Sequence, residues 1–195
     1  MLKERLLPTI CSHLPLSVFN KILGVNPLVA YYHIVTDADV PHVKHLYRFR
    51  DVKAFVQDME TLCRIFQPIS VLDVIRSLKS GARLPANALL LTFDDGFREM
   101  HDIVAPILRK KGIPATFFII SGCVDNKGMP HHNKISLLLE FLGETKRTLP
   151  EKQIWSMLGA HEANGRTLDK ALLSVDYTHR QVIDDIAHLL DYDVA

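Results

Sequence analysis

Two adjacent carboxylates, Asp94 and Asp95, followed by Gly96, are the residues of this sequence best placed to do chemistry. They end an apolar run, Ala88-Leu-Leu-Leu-Thr-Phe93, of the kind that a buried parallel strand carries. In (β/α) barrels and open α/β sheets the reacting groups sit where such strands turn into helices. Carboxylates at that edge are suited to acid–base work. Adjacent strand residues point to opposite faces, so both aspartates can serve one site only if the backbone kinks. Gly96 permits such a kink. A second reading also fits the spacing: one aspartate simply caps the next helix.

The elements around this point read in order. Leu28 to Val35 is an expected first strand, opened by Asn26-Pro27, and Thr36 to His45 is a polar loop whose histidines face solvent. Asp51 caps a helix with Phe55, Val56, Met59, Leu62, Cys63 and Phe66 at helical spacing, and Pro68 ends it. Ile69 begins a short link. Ser70-x-x-Asp73 starts a second helix through Leu78, stopped by Gly81. After Gly96, Met100, Ile103, Val104, Ile107 and Leu108 form one helical face, Gly112-Ile-Pro114 closes it, and Ala115 to Ile120 is a strand. This βαβ unit brings Asp94, Asp95 and Ser121-Gly122 to one sheet edge. From Cys123 onward the pattern is helical: an apolar run at Ile135–Leu142, then Glu151–Leu158, Leu168–Leu173 and Thr178–Leu190, the last opened by Thr178 and Gln181.

Composition narrows the function classes. A chain of 195 residues with 48% hydrophobic and 23% charged residues is globular and can bury a sizeable core. Its net charge of +1 gives no electrostatic footprint for nucleic acid. No stretch approaches the ~20 apolar residues that span a bilayer. Lys3, Glu4, Arg5, His13, Asn20 and Lys21 interrupt the first 24 residues, so two short helices around Pro8 and Pro15 are expected there rather than a secretory signal. The expected location is cytoplasmic, with Cys11, Cys63 and Cys123 reduced in or near the core. Trp155 is expected as a core anchor.

Three words identify a resemblance. Thr92-Phe-Asp-Asp-Gly96, the helix after it and Ala115-Thr-Phe-Phe-Ile-Ile120 resemble the polysaccharide deacetylase family, as does Tyr31-Tyr-His-Ile-Val35. The resemblance covers Leu28 to Gly122. It implies an α/β fold, a partial distorted (β/α) barrel over residues 1–122, with 123–195 a helical insertion or tail. It implies hydrolysis of C–N amide bonds on an N-acetylated polysaccharide or glycan, assisted by a divalent metal such as zinc. By motif, Asp94 is the catalytic base and Asp95 a metal ligand.

The sequence also departs from the family. Its second motif is His-x-x-x-His, and none of the ten histidines has a histidine four residues on. An Arg-x-Pro-Tyr segment is also missing. One carboxylate is a poor site for a transition metal, which usually takes three or more protein ligands. His131 and His132, following the neighbouring strand, are candidate substitutes, with solvated loop histidines as the alternative. His33 can line the site from its strand or sit satisfied in the core. Two readings stay open: the N-terminal part of a deacetylase, weak or inactive alone, or a non-catalytic remnant binding a sugar or a protein. An incomplete barrel leaves an edge beside Ala115–Ile120 that the helical tail or self-association would cover.

Overall fold

The run Ala88–Phe93 forms a strand with neighbours on both sides, which is why all six residues can be apolar or nearly so. The structure is a computed structural model that describes residues 24–159 and 166–194; the helices expected around Pro8 and Pro15, and Cys11, lie outside these residues. In chain order the first elements are β1 (Leu28–Tyr32), α1 (Val52–Ile65), β2 (Gln67–Ile69), α2 (Val71–Ser80) and β3 (Ala88–Phe93). A π-helical turn, Met100–Val104, runs into α3 (Ala105–Lys111), and β4 (Thr116–Phe117) follows. The four strands are parallel. β1 pairs with β3 from Leu28–Leu89 to Tyr32–Phe93, and on β3's other side β2 pairs with its first half and β4 with its last two residues. The fold is thus mixed helix and strand with a partial sheet.

Two strands differ from the sequence expectation. β2 occupies Gln67–Ile69, where the sequence suggests the end of the helix at Pro68 and a link from Ile69; Pro68, although it lacks an N–H, is tolerated at an edge position. The strand expected over Ala115–Ile120 is paired only at Thr116 and Phe117, with one further bond from the Phe118 N–H to the Phe93 carbonyl (2.7 Å). The cause is its partner: β3 turns away after Phe93, so Ile119 and Ile120 have no ladder to join. Phe118 and Ile119 are left exposed.

Helix boundaries follow local chemistry. The Asp51 carboxylate accepts from the Ala54 N–H (2.6 Å), and Phe55 and Met59 then bury against Leu91 and Phe93. Ser70 and Asp73 cap α2 reciprocally, and Gly81 ends it with a left-handed φ of 72°. The widened turn before α3 precedes Pro106, which lacks an N–H and crowds the carbonyl four residues back. Cys63 is exposed on α1 rather than near the core, since the sheet-facing stripe is already filled by Phe55 and Met59.

The chain divides into two compact units. One holds the sheet and its helices, residues up to Asp37 with Phe49–Ile119; the other holds Ala38–Arg48 with Ile120 onward. In the second unit, α4 (His131–Glu144), α5 (Glu151–Met157), α6 (Leu168–Leu173) and α7 (Gln181–Leu189) share a core of Ile135, Leu138, Ile154, Leu172, Ile183 and Ile186. Trp155 of α5 is also buried. The Thr178–Gln181 start does not form: α7 begins after Arg180, and the Asp176 carboxylate takes the His179 N–H instead (3.0 Å). No helix among the described residues is long and apolar enough to cross a membrane.

Segment 38–48 is tied to the polar side of α4. Ser136, fully buried, donates to the Pro41 carbonyl (2.6 Å) and accepts from the His45 N–H (3.3 Å). Asn133 donates to the His42 carbonyl (2.9 Å), and Glu140 pairs with Lys44 and His45. Ser136→Ala strips two part-buried backbone groups of their partner, and the helical unit is expected to lose about 0.5–1.5 kcal/mol. Urea unfolding followed by Trp155 fluorescence measures it, and an unchanged midpoint would refute the tie.

Candidate active site at the end of the central strand

Asp94 continues the ladder one residue past β3. Its N–H donates to the Tyr32 carbonyl at 3.0 Å, which fixes the height at which the chain leaves the sheet. Asp95 then takes φ 72° and Gly96 φ 75°. The Gly96 N–H bonds back to the Asp94 carbonyl at 2.9 Å, closing a three-residue turn around Asp95. A left-handed aspartate is tolerated but strained, and such strain concentrates at functional sites. The kink anticipated at Gly96 therefore begins one residue earlier, at Asp95. The two carboxylates leave the chain from a sharp bend rather than a straight strand, and both are half-buried.

Gly96 is needed for a second reason. A Cβ added there would meet the Ile119 side chain at 3.2 and 3.3 Å and its Cα at 3.4 Å. Gly96→Ala is expected to cost about 1–2 kcal/mol, chiefly through the left-handed backbone. Thermal unfolding followed by far-ultraviolet circular dichroism tests this; a neutral effect would mean that the turn relaxes freely.

An aromatic ladder underlies the turn. Tyr32 stacks on Phe93 (centroids 5.6 Å apart), Phe93 stacks on Phe117 (5.0 Å), and Phe55 of α1 packs edge-on against both Tyr32 and Phe93. The Tyr32 hydroxyl donates to the Asp58 carboxylate (3.1 Å), which also pairs with Arg50 (2.8 Å). Burial, then the Asp58 charge, holds the Tyr32 phenol above its usual range, so it stays a donor. Sequence reading missed this support; the signal was Asp58, an acidic residue one turn after Phe55 and next to Met59 on α1.

The opposite sheet face carries the remaining strand-borne candidate. Alternation places Tyr31, Thr92 and Thr116 on one face, in register across three strands, and gives His33 and Asp94 the next position on it. The His33 ring lies edge-on to Tyr31, 5.8 Å away, which agrees with that placement. On this face Tyr31 is 68% exposed at the edge strand, whereas Thr92 on the central strand is buried. Thr116 Oγ1 is buried with no hydrogen-bond partner among the described residues.

A family model described as polysaccharide deacetylase matches residues 81–189, from the approach to β3 through α7. The chain belongs to the polysaccharide deacetylase family. Among relatives, the poly-beta-1,6-N-acetyl-D-glucosamine N-deacetylases of Escherichia coli strains K12 and O157:H7 are each 35% identical over 60 residues, covering 31% of this chain. The aligned part is 9% of those proteins, so the chain spans only a small fraction of their length. Among solved structures, a de-N-acetylase from Aggregatibacter actinomycetemcomitans is 21% identical over 59% of this chain and 51% of that one, with a TM-score of 0.44. The Streptococcus pyogenes deacetylase PplD in complex with acetate is 16% identical over 83% and 80%, with a TM-score of 0.45.

Polysaccharide deacetylases are generally metal-dependent, and the donor set can be tested for fit. A transition metal usually takes three or more protein ligands. Among the described residues no three histidine, cysteine, aspartate or glutamate side chains are grouped to hold one. The described residues therefore do not make up a complete metal site.

His131 and His132 belong to the helical unit and are not loop residues. They form the first turn of α4, where Pro130 precedes the helix. His132 is exposed, as expected of a solvated histidine, but His131 is only 9% exposed. Its ring lies 3.8 Å from that of His132 and edge-on to Tyr177 at 5.7 Å, while Arg180 sits over the Tyr177 ring. Its Nε2 is buried without a hydrogen-bond partner among the described residues. Burial, then the neighbouring His132, lowers the His131 pKa, against a hydrogen bond to the Val175 backbone. The folded state thus prefers the neutral ring. Its contribution is fully present above the unfolded histidine pKa of about 6.5 and is lost as pH falls below it. The urea midpoint read by Trp155 is expected to fall from pH 7.5 to 5.5, and His131→Asn should flatten that dependence. Equal slopes for the two proteins would show that other groups carry it.

Proposed function

We propose that this chain carries the catalytic front of an N-deacetylase acting on N-acetylated glycans, within a partial, distorted (β/α) barrel. In this reading the barrel portion runs through residue 122 and residues 123–195 are a helical insertion or tail. The observation that supports it most is the strained Asp94-Asp95-Gly96 turn at the carboxyl end of the central parallel strand, inside the matched family region. The reaction adds water across an amide. A water oxygen bonds to the acetamide carbonyl carbon, the C–N bond breaks, and acetate and a free amine result. Asp94 accepts a proton from the attacking water at a carboxylate oxygen, and the departing nitrogen gains one. Asp95 is the carboxylate we assign to the family's divalent metal. His33, one register position from Tyr31 and Thr92, lines the same face.

The printed substrate of the Escherichia coli relatives makes β-1,6-linked N-acetylglucosamine oligomers the first glycan to test. The assay is release of free amine from these oligomers by a protein that holds this chain together with the family's remaining metal ligands. Amine release that depends on Asp94 supports the reading. Saturable glycan binding with no amine released would leave Asp94 without the role assigned here and would favour a non-catalytic sugar-binding module.

A further inference from the structure

One half-buried carboxylate ties down the carboxyl end of β1. Asp58 Oδ2, on α1, accepts from the Tyr32 hydroxyl (3.1 Å) and from Arg50 Nε (2.8 Å). Tyr32 is the last residue of β1, and just beyond it the Thr36 N–H donates to the Arg50 carbonyl (3.1 Å). Asp58 thus holds both ends of the stretch from Tyr32 to Thr36, one through a side chain and the other through Arg50. His33 lies within that stretch, and the Tyr32 carbonyl accepts the Asp94 N–H (3.0 Å). Both strand-borne candidates hang on backbone that a single oxygen fixes.

We propose that Asp58 is a positioning residue for Asp94 and His33, acting through Tyr32 and Arg50; this rests on the deacetylase reading above. Alternation turns the Tyr32 side chain toward α1, where it meets Phe55, and away from the face that carries Tyr31 and His33. Asp58 therefore acts from across the sheet, and only through other residues. The core does not need its contact, because the Tyr32 ring is already stacked on Phe93 and met edge-on by Phe55. What the hydroxyl adds is precision. Ring pairs are favourable over a range of about 4.5–7 Å between centroids, whereas an O–H···O bond holds its atoms within about half an ångström. A base must lie within about 2.6–3.2 Å of the atom whose proton it takes, so the site needs the tighter tolerance.

Amide hydrogen exchange of the full chain reads this link without any turnover. Asp58→Ala removes both contacts, and the Asp94 amide should exchange about tenfold or more faster, while Leu89 and Leu91 in the middle of β3 keep their rates. Asp58→Asn returns an oxygen to the same place and should restore most of the protection. Tyr32→Phe keeps the ring and loses only the hydroxyl, so it decides the case if alanine loosens the whole sheet. In the amine-release assay, Asp58→Ala should lower kcat about tenfold or more with KM near wild type, because misplacement costs rate more than binding. Equal Asp94 exchange in wild type, Asp58→Ala and Tyr32→Phe would overturn the proposal, as would acceleration shared evenly along β3 in Tyr32→Phe. Unchanged kcat in Asp58→Ala beside a loss in Asp94→Asn would also overturn it and leave the base assignment intact. Unchanged kcat in Asp94→Asn would remove that assignment instead, and with it the site that Asp58 positions.

Discussion

Asp94→Asn in a complete deacetylase should lower turnover about 10²–10⁴-fold, the usual contribution of a positioned base. The substitution removes proton affinity while keeping shape. The backbone contacts that fix the residue, its N–H to Tyr32 and its carbonyl to Gly96, are main-chain bonds that asparagine repeats. Stability and glycan affinity should therefore stay close to wild type while kcat falls. Equal turnover would sink the base assignment. A matching loss of glycan affinity would instead make Asp94 a binding residue. Asp95 has a different signature, because its φ of 72° makes it a conformational as well as a chemical choice.

Phe93→Ala is expected to be the most damaging single change in the sheet unit, at about 3–5 kcal/mol. The ring is fully buried, stacked between Tyr32 and Phe117 and met edge-on by Phe55. That loss is a large part of the roughly 5–15 kcal/mol that holds a domain folded. It also falls directly under Asp94. Hydrogen exchange of the β1 and β3 amides is the measurement. Phe93→Leu, which keeps most of the volume, should cost under about 1.5 kcal/mol and recover most of the protection. If alanine and leucine cost the same, the aromatic ladder is not what supports the turn.

The parts that were legible in the sequence were those set by local chemistry. Asp51, the Ser70–Asp73 pair, Gly81 and Gly112 marked helix ends because caps are short-range interactions. The β3 run was readable because a strand with neighbours on both sides must be apolar along its length. What could not be read was decided by partners distant in sequence. The strand at Ala115–Ile120 was too long because its pairing ends where β3 turns at Asp94, which its own residues do not record. The sequence leaves His131 as a candidate metal ligand or a solvated loop residue, but α4 starts there and buries the ring against Tyr177. The aspartate pair itself was found from its place after an apolar run. The left-handed conformation of Asp95 was not, because glycine two positions after Asp94 was the obvious place for the bend.

The placement of residues 38–48 bears on the order in which the chain can be assembled. Pro41 and Ser136, joined by a 2.6 Å hydrogen bond, are 95 residues apart in sequence, and the His42–Asn133 and His45–Ser136 bonds are each 91 residues apart. Contacts of that span carry a high loop-closure cost and slow folding. During synthesis from the N-terminus, this segment emerges long before α4 and must wait, between β1 and α1, for a partner not yet made. Residues 123–195 excised as a cloned fragment would lack the strap that satisfies Asn133, Ser136 and Glu140. The boundary suggested by a linear reading of the chain is therefore a poor place to cut it.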